Sequence, residues 1–227
     1  MLAASLALNY VLYQKAFLPF YAAKFDPLEL NYYPEQAKPA RDKPVFLLYG
    51  DSRSLSWPDP ALEQYQIINR GIGNQSSAQV AMRFEHHVKP LKPAVILLQV
   101  CVNDLKTIPL FPEQREQIIS GCKNNILQML SDAAAIEAKV VLSTVLPLGS
   151  ISPERRLFGF REEPVITAID EVNDFIHGLE SANVQIFDSY ELLKGEGGKI
   201  NPDYSRDWLH LNERGYQRLN EQLVTII

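Results

Sequence analysis

The sequence predicts an α/β fold built on a parallel β-sheet. Three observations point there. Five short apolar runs recur along the chain, each of strand length: 45–49, 65–68, 94–100, 139–145 and 184–187. Between them lie stretches whose apolar residues recur at three and four positions, the helical period. The two kinds alternate, as βαβ units do, and such units give a parallel sheet covered by helices on both faces.

The elements follow in order. Residues 1–41 read as an apolar N-terminal segment and a linker, and residues 42–227 as one domain. Met1 to Gln14 carry no charge, and Leu2, Leu6, Leu8, Val11, Leu12, Phe17, Leu18 and Phe20 make the start apolar. It has neither a basic n-region nor an A-x-A cleavage site, so it does not read as a signal peptide. A membrane span needs about 20 apolar residues, and Asn9, Lys15 and Pro19 interrupt this run. Two readings stand side by side: a helix packed on the domain or a partner, and a membrane tether through residues 1–23. Localisation is accordingly expected to be cytoplasmic or membrane-associated through this segment. Residues 26–44 are rich in proline and charge and read as an extended linker.

The run Val45–Tyr49 enters Gly50-Asp51-Ser52 and has the look of a buried strand ended by glycine. The second run leads into a glycine-rich turn, Asn69 to Ser76, and then a helix with Ser76 or Ser77 as N-cap and Ala81, Phe84 and Val88 on one face. His86 and His87 read as a solvated helix end. The third run ends in Cys101-Val102-Asn103-Asp104, before a long helix with Ile119, Cys122, Ile126, Met129 and Ala133 at its apolar positions. After the fourth run, residues 146–163 form a long loop whose Arg155, Arg156 and Arg161 read as solvated. Val165, Ile169, Val172, Ile176 and Leu179 mark another amphipathic helix. A polar stretch after the last run carries Asp207 and His210, and Tyr216, Leu219, Leu223 and Ile226 mark a closing helix.

Composition narrows the function. A net charge of −5 with no long run of one sign excludes the basic face that a nucleic-acid partner normally requires. Cys101 and Cys122 sit in no CxxC pair and at no metal spacing, and read as two free buried thiols. Neither a cofactor nor a metal is expected.

The chemistry concentrates at strand ends, where ligands bind in open α/β sheets. Ser52 follows the first strand. A serine hydroxyl is a weak nucleophile until a base takes its proton, and the usual base is a histidine oriented by a carboxylate. Asp207-x-x-His210 can present both groups at one point. Acyl transfer also needs donors aimed at an oxyanion. The Ser52 backbone N–H, the Gly73 backbone N–H and the Asn103 side-chain amide all lie at strand ends. Gly73 is expected to permit close backbone approach with positive φ.

Gly50-Asp51-Ser52, Gly73, Asn103-Asp104 and Asp207-x-x-His210 occur in that order, and together they resemble the SGNH hydrolase superfamily, the GDSL-type esterases and lipases. The resemblance spans residues 44–227. It implies a flavodoxin-like, three-layer α/β/α fold on a five-stranded parallel sheet. It also implies Ser52 as nucleophile, Asp207 and His210 as the rest of a catalytic triad, and Ser52, Gly73 and Asn103 as oxyanion donors. Two departures stand out: Cys101 occupies a usual glycine position of the third block, and Arg53 replaces the leucine after Gly-Asp-Ser. Absence of a Gly-x-Ser-x-Gly elbow argues against an α/β-hydrolase. The expected function is a serine esterase acting on a small-molecule carboxylic ester, such as a small acyl ester, a lysophospholipid or an acetylated sugar. The alternatives are an O-acyltransferase with the same triad, acting on a sugar or lipid hydroxyl, and a silent binding module.

Overall fold

The computed structural model describes residues 2–33, 42–157 and 159–227. Its elements are α1 (Leu2–Phe25), β1 (Val45–Gly50), α2 (Ser52–Leu55), β2 (Gln66–Gly71), α3 (Ser77–Met82), α4 (Phe84–His87), β3 (Val95–Gln99), α5 (Val102–Leu105), α6 (Arg115–Ala135), β4 (Lys139–Ser143), α7 (Pro153–Leu157), α8 (Glu163–His177), β5 (Val184–Phe187), α9 (Ser189–Leu193) and α10 (Glu213–Leu223). The five strands form one sheet in the order β2-β1-β3-β4-β5, and every pair is parallel.

Strand side chains alternate across the sheet because the pleat has period two. Val45, Leu47 and Tyr49 of β1, with Ile96, Leu98, Val140 and Leu142, pack against Val80, Ile126, Ile169 and Val172 of α3, α6 and α8. Phe46, Leu48, Leu97 and Val141 face the other way, onto Leu193, Tyr216, Leu219 and Leu223 of α9 and α10. Both faces are therefore dry, and the architecture is three-layer α/β/α. Complete burial of each such side chain contributes about 1.5–3 kcal/mol.

Strand order fixes where a site can form. The chain moves from β1 outward to β2, then back across to β3 on the other side. At such a switch point the loops beyond the carboxyl ends part and leave a crevice. The turns after β1, β2 and β3 carry Ser52, Gly73 and Asn103.

Several expectations need correction. Cys101 and Cys122 are not free thiols: they form a disulfide, with Cα atoms 5.8 Å apart. Cys122 lies on α6, which packs against α5 immediately beyond Cys101, and that proximity is tertiary. His87 is not a solvated helix end; it is 3% exposed, whereas His86 is exposed. The helix expected after Ser76 is broken at Arg83 into α3 and α4. Ser76 is its N-cap, in a capping box with Gln79. The long loop 146–163 contains α7.

The N-terminal expectations also change. The membrane-associated reading is overturned: among the described residues no helix is long and apolar enough to cross a membrane. Polar Asn9, Gln14, Lys15 and Lys24 divide α1 into apolar stretches too short to span. In the stretch expected as an extended linker, residues 26–33 make a 3₁₀ turn at Leu30–Tyr32 and dock on the domain. Its residues 34–41 lie outside the described residues.

Cys101 has φ +85°, a left-handed conformation that costs a residue with a Cβ about 1–2 kcal/mol. Glycine is exempt from that cost. Cys101→Gly and Cys101→Ala both remove the disulfide, so their difference isolates the backbone term. Cys101→Gly is expected to retain ester turnover and to melt about 2–8 °C above Cys101→Ala. Calorimetry decides the point, and equal melting temperatures would show that the left-handed backbone carries no such cost.

Candidate active site

The site begins with the β1 tip. Gly50 pairs in register with Gly71 on one side and Gln99 on the other. A Cβ on Gly50 would collide with the Gln99 carbonyl oxygen, and one on Gly71 with the Leu55 backbone nitrogen. Both glycines are thus required for strands and turn to close on each other. Asp51 then caps α2, its Oδ1 accepting the Arg53 N–H at 2.9 Å. That cap ends the strand and leaves Ser52 as the first helical residue, half-buried, at the mouth of the crevice.

Ser52 Oγ lies 3.1 Å from His210 Nε2. His210 Nδ1 lies 2.9 Å from Asp207 Oδ2 and 3.0 Å from Oδ1. The backbone builds this turn: Asp207 Oδ1 accepts the N–H groups of Leu209 at 2.8 Å and His210 at 2.9 Å. One carboxylate therefore both shapes the loop and holds the ring. Burial alone would raise the Asp207 pKa, but the Leu209 N–H, the imidazole and the His210 N–H outweigh it and bring it to about 2. Asp207 is an acceptor at every working pH, so Nδ1 carries the hydrogen and Nε2 is left to accept from Ser52.

The three expected donors sit on the turns that follow β1, β2 and β3. Gly73 lies against Ser52: a Cβ placed on it would sit 4.0 Å from the Ser52 Cβ. Its φ is not positive, contrary to expectation; the left-handed residue of this turn is Asn74, at φ +62°. The backbone N–H groups of Ser52 and Gly73 donate to no acceptor among the described residues. Asn103 Nδ2 donates to the Gln75 carbonyl at 2.9 Å, which ties the third turn to the second. Its amide nitrogen carries a second hydrogen for another acceptor.

Lys106, which sequence reading missed, and Arg53, which it noted only as a departure, complete the site. Lys106 Nζ donates to Asn103 Oδ1 at 2.6 Å and to Asn74 Oδ1 at 3.0 Å. The first bond fixes which end of the Asn103 amide is oxygen. Burial lowers the Lys106 pKa. A lysine one helical turn after Asn103 was the available signal. Arg53 is fully buried, and its guanidinium donates to the carbonyls of Leu209, Leu146 and Pro147 at 2.8, 3.0 and 3.2 Å. Its departure from leucine was visible in the sequence, but nothing local assigned it this role. Asp104 acts on the frame, accepting the N–H and the hydroxyl of Ser77, each at 2.8 Å. The arginines of the 146–163 loop are exposed: Arg155 lies 4.8 Å over the Trp208 ring and Arg156 pairs with Glu162 at 2.9 Å.

The architecture is a three-layer α/β/α sandwich whose crevice lies beyond the carboxyl ends of β1, β2 and β3. Residues 40–218 match the model of the GDSL-like Lipase/Acylhydrolase family, and the chain belongs to that family. The fold is similar to that of a GDSL-like lipase from Bacteroides thetaiotaomicron, with TM-score 0.66, 21% identity, and 88% of this chain and 97% of that one covered. It is similar also to the lipase/acylhydrolase from Enterococcus faecalis, with TM-score 0.61, 18% identity, and 81% and 95% covered. The acetyl xylan esterase AlAXEase aligns with TM-score 0.62 at 19% identity, covering 81% of this chain and 99% of that one. No curated protein matches the chain.

Asp51 yields a pH prediction. It is fully buried, and its Oδ2 has no hydrogen-bond partner among the described residues. Burial raises its pKa from 3.8 to about 6, against the opposing pull of Arg53. The folded state thus keeps a proton that the unfolded chain releases, and stability falls as pH rises between those two values. Asp51→Asn cannot ionise. Its melting temperature relative to wild type is expected to be higher at pH ~8 than at pH ~4. A difference independent of pH would mean that Asp51 does not titrate there.

Proposed function

We propose that the protein is a serine carboxylic ester hydrolase in which Ser52 is the nucleophile. The observation that carries this reading is the unbroken chain of contacts from Ser52 Oγ through both nitrogens of His210 to Asp207. His210 Nε2 takes the Ser52 proton as Oγ attacks the ester carbonyl, and Asp207 stabilises the imidazolium that forms. The tetrahedral oxyanion is received by the N–H groups of Ser52 and Gly73 and the amide of Asn103, with Lys106 holding that amide in place. Imidazolium then protonates the leaving alcohol. Water, deprotonated by the same nitrogen, attacks the acyl-enzyme carbonyl, and the collapsing intermediate returns the proton to Ser52 Oγ and releases the acid. The donors are preorganised, because each sits on a turn fixed by strand pairing or by a buried hydrogen bond.

The test is hydrolysis of p-nitrophenyl acetate and longer p-nitrophenyl esters by wild type, Ser52→Ala and Asn103→Ala. Wild type is expected to turn over at least one ester and Ser52→Ala none. Asn103→Ala is expected to lose about 10²–10³ in kcat, the usual effect of removing one oxyanion donor. Ester turnover that survives in Ser52→Ala would reject the nucleophile, and a loss of less than about tenfold in Asn103→Ala would remove Asn103 from the oxyanion site.

A further inference from the structure

Residues 26–33 are bound to the turn that carries Gly73. Gln79 Nε2 donates to the Pro27 carbonyl at 2.6 Å. Gln75 Nε2 donates to the Leu28 carbonyl at 3.0 Å and to Glu29 Oε2 at 2.9 Å. The Tyr33 hydroxyl donates to the Gly71 carbonyl at 2.5 Å, and the Arg70 guanidinium lies 4.5 Å over the Tyr33 ring. His87 Nε2 meets the Leu30 carbonyl at 3.1 Å. Burial holds His87 well below its ordinary pKa, at about 4, so the ring is neutral at pH ~7 and Nε2–H is the donor to Leu30. Asp26 closes the segment on itself by accepting the N–H groups of Leu30 and Asn31 at 2.9 and 3.1 Å.

Between this arm and the Gly73 turn lies a cavity of about 440 Å³. Pro19, Ala22 and Ala23 of α1, with Pro27, form the outer wall, and Gly73 and Asn74 form the inner one. The exposed wall is more apolar than polar, and its amides are engaged: Gln75 and Gln79 bond to the arm and Asn74 to Lys106. The carboxylates at the rim, Asp26 and Glu29, are occupied by the bonds just described. A volume in the ~300–1,000 Å³ range holds a drug-sized ligand. It greatly exceeds what an acetyl group would fill.

Topology says which half of an ester reaches it. The Asp207–His210 turn is held by the loops after β4: Gly149 N–H donates to the Trp208 carbonyl at 2.8 Å, and Arg53 joins Leu209 to Leu146 and Pro147. Gly73 follows β2, on the opposite side of β1. The leaving alcohol must lie within reach of His210 Nε2, which protonates it. With the leaving alcohol on the His210 side, the acyl substituent is left the side of β1 on which β2 and the arm lie.

Resting on the assignment of Ser52 as nucleophile, we propose that the cavity between α1, residues 26–33 and the Gly73 turn is an acyl-chain site. It takes an unbranched, uncharged aliphatic chain of medium length, which makes fatty acyl esters the preferred substrate class. The arm is a specificity element of the enzyme: it supplies one wall of the site and clamps the turn that bears an oxyanion donor.

The experiment compares kcat/KM on p-nitrophenyl octanoate and p-nitrophenyl acetate for the full chain, Ala22→Trp and Ala16→Trp. Ala22 is exposed on α1 and faces the cavity, so tryptophan can be accommodated on the helix while filling the site. Ala16 is exposed on the same helix away from it. Wild type is expected to prefer octanoate by about tenfold or more, a preference that Ala22→Trp lowers by a similar factor and Ala16→Trp leaves intact. An unchanged octanoate-to-acetate ratio in Ala22→Trp overturns the acyl site while leaving the esterase reading standing. So does a wild-type preference for acetate. Failure of wild type on every ester overturns the esterase reading, and the acyl site with it.

Discussion

Arg53 is the interaction on which the site depends. It lies one residue after Ser52, with no measurable exposure, and reaches across to the backbone of two loops far along the chain. Tyr216 on α10 adds a bond from its hydroxyl to the Arg53 carbonyl at 2.8 Å. The β1 tip is thereby fastened to the loop that carries His210 and to the helix that follows it. Burying a guanidinium is costly unless its donors are satisfied. Here three carbonyls accept from it, and removing the side chain would orphan all three at about 1–3 kcal/mol each. Neighbouring Asp51 opposes the burial of Arg53 with its own charge, while its burial raises its pKa to about 6.

Arg83 plays the corresponding part on the other side. It too is fully buried, donating to the Gly50 carbonyl at 2.8 Å, the Arg70 carbonyl at 2.9 Å and Gln75 Oε1 at 2.6 Å. The tips of β1 and β2 and the Gly73 turn are thus held by one planar fork, which suits a guanidinium and no other side chain. Two buried arginines therefore bracket Ser52. One secures the side of His210, the other the side of Gly73.

Legibility in the sequence follows how local each signal is. The five strands could be read because a buried parallel strand is a continuous apolar run, and the helices because their period is written in consecutive residues. Ser52, Asp207 and His210 were legible as short motifs at strand ends and before a helix. What failed was non-local. The Cys101–Cys122 pair joins a strand tip to the face of α6, and no spacing announces that. His87 looked solvated because its covering partner, Leu30, lies far upstream in a stretch that composition marked as linker. Arg53 looked like a tolerated variation because its three acceptors are backbone carbonyls, which have no sequence identity. Gly73 was assigned a positive φ that Asn74 in fact adopts, a shift of one residue that glycine-rich turns do not encode.

Backbone strain gathers around the same crevice. Asn74 and Cys101, both left-handed, precede or follow the donor-bearing positions by one or two residues. Asparagine tolerates that conformation, and Lys106 pins its side chain. Cysteine does not tolerate it readily, and there the covalent tie to α6 takes over. Strained residues persist only where the surroundings over-determine them. Each strained position in this site has such a tie: an arginine fork at the strand tips, a lysine across two asparagine oxygens, a disulfide behind Asn103, and the arm over the Gly73 turn. The rigidity that holds the turns of Ser52, Gly73 and Asn103 in place is thus distributed among four separate contacts. In the proposed acyl site the arm is the contact that faces substrate, so selectivity can change there while the rest of the constellation stays fixed.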